Sequence, residues 1–497
     1  MTAPAPAEKG AIGKPFAAVS DASAVLVVDL DGTLIRSDLL HESLIKLLVE
    51  RPSSLPKALL SLVLRGKARF KRSIAKRVNL DVTTLPYDPR VLEWIAAERS
   101  SGRSVVLCTA SDMKFARAVA THLGLFDDVL ASDGVTNLSA AAKAALLVER
   151  YGENGFDYAG NTSADLAVWA KARHAIAVAA PSRVRAAARR VANVTKEILR
   201  PAPTLGNWRQ ALRLHQWAKN VLVFLPLFGA HRMFDMQLLG LATWAFVAFG
   251  LCASSVYLVN DLIDLESDRR HPRKRFRPFA AGKISVLHGA IASLTLAVAA
   301  FVVAVMHVTA EFTAWLAVYL GLTICYTFWL KRRVLVDSLV LAGLYTLRVL
   351  AGSAAVGVDT GFWLLAFSLF LFLSLAMVKR YSELAEMISA GLHGVPGRGY
   401  LRDDLQLVQS FGVASGFAAV VVLALYNNGE TVARLYPHQQ VVWLTVPILL
   451  YWICHLWLEA HRGNMHDDPV IFALKDSVSR LTIAAFIGTL LLASIPW

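Results

Sequence analysis

From about residue 219 to the C-terminus, stretches of almost wholly apolar residues alternate with short polar ones. They are roughly 219–233, 240–260, 286–306, 310–330, 334–355, 362–378, 407–426, 440–458 and 479–496. Most are long enough to cross a ~30 Å hydrocarbon layer as a helix, and a chain in lipid must satisfy its backbone polar groups internally. The pattern restricts this part of the chain to an all-α membrane domain of about nine transmembrane helices. The first run is short and contains Pro226. Charge supports the count. The loops 261–286, 331–337, 379–406 and 459–480 hold seventeen Lys/Arg, whereas the opposite set holds only Arg232 and Arg434. Positive-inside bias places the first set in the cytoplasm and the C-terminus outside, in a multi-pass protein of the inner (plasma) membrane.

Composition separates a soluble part from this membrane part. Of 497 residues, 56% are hydrophobic, and the mean hydropathy of +0.48 is too high for a wholly soluble protein. A formal charge of +14 would suit a nucleic-acid binder, but much of it lies in short loops between apolar runs. Anionic membrane lipids and phosphorylated substrates explain it better, and no nucleic-acid partner is expected. Cys108, Cys252, Cys325 and Cys454 show no CxxC spacing, so neither a disulfide framework nor a zinc site is indicated. Residues 1–19 lack a signal-peptide pattern and, Ala/Pro-rich at their start, are expected to form a disordered tail.

At the end of the second apolar run stands NDLIDLESDRRHPRKRFRPFAAG, Asn260 to Gly282. Asp261, Asp264 and Asp268 fall at i, i+3 and i+7, which on a helix puts three carboxylates on one face. Like charges so placed repel unless a cation lies between them, and Mg²⁺ with a substrate phosphate as further ligand suits such oxygens. Arg269, Arg270, Arg273, Lys274, Arg275, Arg277 and Lys283 follow. Acid, metal and then base is the order expected for a phosphorylated or pyrophosphorylated substrate. The plainer reading is a charged cytosolic loop held by positive-inside bias. Other spans deliver polar residues to the same side: Arg213, Gln216, Lys219 and Asn220; Tyr326 and Lys331; Asp337 and Arg348; Lys379, Arg380 and Glu383; Arg398, Tyr400, Arg402, Asp403 and Asp404. Ionisable groups within spans tend to face a cavity. Snorkelling to the interface suits Lys331, Arg332 and Arg333, but suits Arg348, set among Leu, Val and Ala, poorly.

Ahead of the membrane part, residues 20–200 read as an α/β domain. Ala24 to Leu30 is a short buried strand that runs into Asp29-Leu30-Asp31-Gly32-Thr33-Leu34. Ser104 to Leu107 is a strand ending at Thr109 and Ser111, followed by a helix from about Lys114 to Leu123 with Gly124 as its stop. Val129 and Leu130 suggest another strand. A helix over Ala140 to Tyr151 carries Lys143, and Phe156 to Ala159 is a strand ending near Gly160, Asn161 and Asp165. Alternating strands and helices predict a parallel, Rossmann-like sheet with polar residues at the strand C-termini. Residues 36–87 read as a small helical cap, whose basic run Arg65 to Arg77 touches headgroups, an anionic substrate or only solvent. Residues 182–200 read as helical. Residues 201–218 form a linker that leads, through the amphipathic WRQALRLHQWAKN, into the first span.

DLDGTL, with Thr109, Lys143 and the acidic stretch in the same order, resembles the haloacid-dehalogenase superfamily, which is mostly phosphatases. The resemblance implies that Asp29 takes the phosphoryl group, and that Asp31 protonates the leaving group and later activates water. It implies that Thr109 and Lys143 hold the phosphate, and that Asp29, the carbonyl of Asp31, Asn161 and Asp165 hold Mg²⁺. A carboxylate can attack phosphorus when a cation and a lysine offset the crowded negative charge. The family usually has Asp where this chain has Asn161, which offers an oxygen without a charge. A degenerate, structural α/β domain is the alternative.

Asn260, Asp261, Asp264 and Asp268 match NDxxDxxxD, and with His271-Pro272, Lys274-Arg275 and Arg277-Pro278 the region from about 210 to 497 resembles the UbiA superfamily of intramembrane prenyltransferases. LHQWAKN, Tyr326/Lys331 and Lys379-Arg380-Tyr381-Ser382-Glu383 resemble one branch, the decaprenyl-phosphate phosphoribosyltransferases. That branch implies Mg²⁺-dependent transfer of 5-phosphoribose from phosphoribosyl pyrophosphate to a polyprenyl phosphate, in the service of cell-wall arabinan synthesis. By this resemblance Asp261 and Asp264 are catalytic and, with Asp268, hold metal. Lys219, Asn220, Asn260, Lys274, Arg275, Arg277, Tyr326, Lys331, Arg348, Lys379, Arg380, Glu383, Arg398 and Arg402 then bind substrate. Where aromatic prenyltransferases carry a second Asp-rich stretch, 379–404 mixes Lys/Arg with Glu383, Asp403 and Asp404, which favours a donor with extra phosphate. The fused domain would then remove the 5-phosphate of the product. Two readings stay open: prenyl transfer from a prenyl pyrophosphate to an aromatic or other small acceptor, and a transporter or lipid-binding scaffold with a degenerate soluble domain. A homo-oligomer is left open.

Overall fold

A computed structural model describes residues 24–389, 391, 399–465 and 468–495. The expected disordered tail and Arg398 lie outside the described residues. The chain forms two compact units. One holds the N-terminal chain through Ala211 together with Asp261–Ala290; the other holds Leu212–Asn260 and the chain from Ile291 onward.

The first unit is built on a six-stranded parallel sheet. Its strands are β1 (Val25–Val28), β2 (Val105–Asp112), β3 (Asp128–Ser132), β4 (Phe156–Gly160), β5 (His174–Val178) and β6 (Val194–Ile198), in the order β3-β2-β1-β4-β5-β6. The central strands are buried and largely apolar because helices cover both faces. Leu26, Val28, Ile176 and Val178 pack with Trp94, Ile95 and Phe115 on one face. Val27, Cys108, Tyr158 and Trp169 pack with Leu147 on the other. Residues 182–200 depart from the helical expectation. The helix Ser182–Val191 stops, and Val194–Ile198 pairs with β5. The edge of β5 supplies the partner that a local reading of VTKEI cannot see.

After β1 the chain turns at Gly32 (φ +75), where an added Cβ would lie 2.0 Å from the Asn161 side chain. The helices Leu39–Glu50 and Leu55–Ala75 follow. The same unit takes in Asp261–Ala290. Here the three-carboxylate ladder is not one continuous helix. Met236–Ile263 ends, Asp264 adopts φ −90° and ψ 13°, and a new helix Leu265–Arg270 begins. A 3₁₀ turn, Lys274–Phe276, comes next.

Eight described helices are long and apolar enough to cross a membrane: Met236–Ile263, Val286–His307, Ala310–Phe328, Val336–Val356, Phe362–Ser389, Arg402–Asn427, Gln439–His461 and Ser477–Ser494. The expected first span folds as a 3₁₀ segment, Leu214–Phe224, and a short helix, Leu225–Gly229, with Pro226 in its first turn. The amphipathic helix expected over 208–220 breaks where Arg213 takes φ 50. Within the second unit, small residues allow close approach. A Cβ at Gly352 would lie 2.2 Å from the Val223 carbonyl oxygen, and one at Gly412 2.2 Å from the Trp457 ring. Along Val286–His307, Leu294, Val298, Val302 and Val305 stay exposed at near-helical spacing, an apolar stripe suited to lipid.

Candidate functional site

The C-terminal ends of β1, β2 and β4 gather the polar residues of the first unit, as the topology of a parallel sheet dictates. Asp29, Thr109, Lys143 and Asp165 are all buried. The Lys143 ammonium donates to Asp29 Oδ1 at 2.8 Å and to the Tyr158 hydroxyl at 2.7 Å, and lies 3.9 Å from Asp165. Tyr158 in turn donates to Asp165 at 2.9 Å. Asp165 also accepts from the amides of Asn161 and Thr162, so its orientation is set by the backbone. Asp31 accepts from the Ser111 hydroxyl at 2.6 Å and from the Leu39 amide at 2.8 Å. Thr109 reaches Asp31 at 3.3 Å.

Burial pushes Asp29 up to about 6, against the pull of Lys143. Burial and the Asp38 charge push Asp31 up to about 7. A carboxyl titrating near neutrality can give a proton and later take one. Burial disfavours the Lys143 charge, but Asp29, Cys108 and Asp165 more than reverse this and hold its pKa above the usual range. The Asn161 side-chain oxygen is buried with no hydrogen-bond partner. An orphaned acceptor on the residue whose amide binds Asp165 fits a hard cation or its water, so the donor set suits Mg²⁺.

One further residue reaches this site. Lys71, on the helix Leu55–Ala75, donates to the Ala110 carbonyl at 2.7 Å and to Asn137 at 3.0 Å. Burial lowers its pKa while Asp31 and Asp38 oppose that shift, so its charge lies within reach of theirs. The basic run had shown Lys71 only as one cation among several.

The aspartate motif makes its own cluster. Asp261 and Asp268 are buried, and Arg277 donates to them at 3.2 and 2.7 Å. Among the described residues no three His, Cys, Asp or Glu side chains stand close enough to hold a metal. The Arg277 guanidinium bridges the two carboxylates. The carboxylates are the right donors for Mg²⁺, with Asp264 at the break between the two helices. Lys274 and Arg275 lie exposed on the 3₁₀ turn.

In the second unit the expected residues fall into three groups. Arg348 is 4% exposed; it donates to Asn220 at 3.0 Å, to the Leu344 carbonyl at 2.6 Å and to the Tyr319 hydroxyl at 3.2 Å. Its guanidinium also lies over the Phe249, Tyr319 and Tyr345 rings, so it does not snorkel. Arg380 pairs with Asp337 at 2.8 Å and with Glu383, and reaches the Tyr326 hydroxyl at 3.4 Å. Lys219 and Lys379 share Asp468, at 2.6 and 3.4 Å. Asp468, 9% exposed at its side chain, also accepts from Tyr345, and sequence reasoning missed it. Its only local signal is an Asp-Pro pair that caps the helix Pro469–Lys475. The Asn260 side-chain oxygen is buried without a partner. Lys331 is half-buried, and Arg402 is exposed.

Residues 221–490 match the UbiA prenyltransferase family, and residues 26–169 match the haloacid dehalogenase-like hydrolases. Uncharacterized protein y4nM of Sinorhizobium fredii is 38% identical over 94% of this chain and 89% of its own length. Nodulation protein NoeC of Azorhizobium caulinodans is 37% identical over 55% of this chain and 89% of its own. The decaprenyl-phosphate phosphoribosyltransferase of Mycobacterium tuberculosis is 31% identical over 58% of this chain and 94% of its own. This chain belongs to the UbiA prenyltransferase family and carries an N-terminal haloacid dehalogenase-like hydrolase domain. It is a multi-pass membrane enzyme that joins a transferase to a phosphatase.

Proposed function

We propose that the protein transfers 5-phosphoribose from phosphoribosyl pyrophosphate to a polyprenyl phosphate, with Mg²⁺, at the cytoplasmic face of the plasma membrane. The observation that carries this reading is the similarity to decaprenyl-phosphate phosphoribosyltransferase along 94% of that protein's length. The transferase function is assigned to 219–497 and the phosphatase function to 20–200, with 201–218 as the linker. Asp261, Asp264 and Asp268 would hold Mg²⁺, whose charge would offset that of the departing pyrophosphate. Arg277, Lys219, Lys379, Arg380 and Arg348 would bind phosphate oxygens or orient the groups that do, and Glu383 would accept a ribose hydroxyl. Removal of two phosphate-bearing substrates from water calls for this excess of cations.

In the phosphatase half, Asp29 would take the phosphoryl group of a phosphomonoester, and Asp31 would give the leaving oxygen its proton. Lys143 and Thr109 would hold the phosphate. The substrate that fits the fusion is the 5-phosphate of the lipid-linked product, since tethering raises its local concentration at the second site. The test offers purified protein in lipid nanodiscs labelled phosphoribosyl pyrophosphate or a prenyl pyrophosphate, at equal concentration. Lipid-linked phosphoribose should form with Mg²⁺ and not in excess EDTA, and Asp29→Asn (D29N) should let the 5-phosphate accumulate. A prenylated small acceptor as the sole product would replace this reading.

A further inference from the structure

The loop that carries the transferase aspartates is tied to the phosphatase half by charged side chains near its start and by close backbone packing at its end. On the short helix Leu265–Arg270, Glu266, Arg269 and Arg270 fall at i, i+3 and i+4 and so share a face. Each meets a residue of the first unit's N-terminal chain. Arg269 clamps Glu42 through both nitrogens, at 2.9 and 2.6 Å, and this pair is 5% and 3% exposed. Lys46 donates to both oxygens of Glu266 at 2.7 Å, and the Asp81 amide donates to Glu266 at 3.0 Å. Arg270 pairs with Asp81 at 2.5 Å. Arg269 also donates to the Ala280 carbonyl at 3.1 Å, which closes the loop on itself. At the loop's far end Gly282 (φ +64) passes so near Arg36 that an added Cβ would lie 2.5 Å from Arg36 Cβ.

Three side chains fixed on one face leave the short helix no freedom to turn. Asp268 lies two residues beyond Glu266, roughly 200° around the helix, so it points away from the anchored face. There it meets Arg277, which also holds Asp261. The rotation that aims Asp268 is thus set by Glu42, Lys46 and Asp81, none of which belongs to either motif.

We propose that Glu42 is a positioning residue for transfer: through its buried pair with Arg269 the phosphatase half fixes the rotation of the short helix, and with it the aim of Asp268, one of the residues that would take up Mg²⁺. This rests on the reading that Asp261, Asp264 and Asp268 bind that ion. The arrangement gives the fused domain a second task, as a brace, that does not depend on its own catalysis.

The test uses full-length protein in nanodiscs and hydrogen exchange of the peptides spanning 261–282, with and without Mg²⁺. In the wild type, Mg²⁺ should slow exchange there. Glu42→Arg and Arg269→Glu should each speed exchange about tenfold and abolish the Mg²⁺ effect, and the double swap should restore both. Glu42→Gln, which keeps the shape, covers the case in which the charge reversals fail to fold. In transfer assays the single variants should raise the Mg²⁺ concentration for half-maximal rate about tenfold, with a smaller change in kcat. Unchanged exchange in the single variants would overturn the brace. Faster exchange with an unaltered Mg²⁺ response would overturn its link to the metal. A wild type that shows Mg²⁺ protection but makes no lipid-linked phosphoribose would count against the proposed substrates and leave the brace standing.

Discussion

Replacing Lys143 with Met probes the phosphatase site most sharply, because the side chain keeps its apolar stem and loses the ammonium with its charge and hydrogen bonds. The ammonium lies 2.8 Å from Asp29 and 3.9 Å from Asp165. At an effective dielectric near 20 those separations correspond to roughly 6 and 4 kcal/mol of attraction, part of which is offset by desolvation of the buried lysine. Breaking a buried pair from one side usually costs about 3–5 kcal/mol, and that range is the expected loss of stability without Mg²⁺. On the rate, losing a donor aimed at developing phosphoryl charge should cost about 3–4 kcal/mol, or 10²–10³-fold in kcat/KM. The assay is hydrolysis of a chromogenic phosphomonoester by full-length Lys143→Met and wild-type protein, with transfer measured in parallel. Added Mg²⁺ should stabilise the variant more than the wild type, since the cation replaces the missing charge between Asp29 and Asp165. A loss of less than about threefold in hydrolysis would refute the reasoning, as would an equal loss of transfer.

Asp261→Asn should abolish transfer while the protein still inserts and hydrolyses phosphomonoesters; full transfer by that variant would contradict the assigned metal role. Asp468→Ala should lower transfer at least tenfold, because Lys219 and Lys379 lose the carboxylate they share, and Asp468→Asn should fall between, as measured with labelled donor. Asp88, fully buried, accepts from Arg36, Arg90 and Arg200. Burial raises its pKa, but Arg90, Arg36 and Arg200 outweigh this and hold it well below the ordinary range. Its stabilisation is therefore full above the unfolded value near 4 and is lost as pH falls further. The stability gap between wild type and Asp88→Asn should shrink between about pH 4 and pH 2, and a gap constant over that range would speak against the pair.

What could be read from the chain alone was what is local. DLDGTL begins at the end of an apolar strand, and the positions of Asp29, Thr109 and Asp165 are set by the ends of three neighbouring strands, so pattern and topology agree. The apolar runs from 240 onward mark the membrane helices by length. Illegible were features whose partners lie far away in sequence. Asp468 is 249 residues from Lys219, and Glu42 is 227 residues from Arg269. Nothing near Glu42 marks it, since a Glu in LLHESLIKLLVE is ordinary helix composition. Strand β6 was hidden by the Ala/Arg-rich helix before it, and the ladder of three aspartates concealed a break because spacing says nothing of where a helix ends.

The first unit is discontinuous, and that orders its assembly. Its sheet lies within residues 25–198, but Arg36, Glu42, Lys46 and Asp81 meet partners from Asp261–Ala290. A ribosome releases the sheet long before it makes those partners, and the membrane helix Met236–Ile263 emerges in between. The first unit is therefore complete only once Asp261–Ala290 has been made and has met the N-terminal chain. Glu42 and Lys46 find their partners only when that loop is on their own side of the membrane. A chain inserted the wrong way round would carry its aspartate loop to the far side of the membrane and leave a buried-type carboxylate exposed and unmatched.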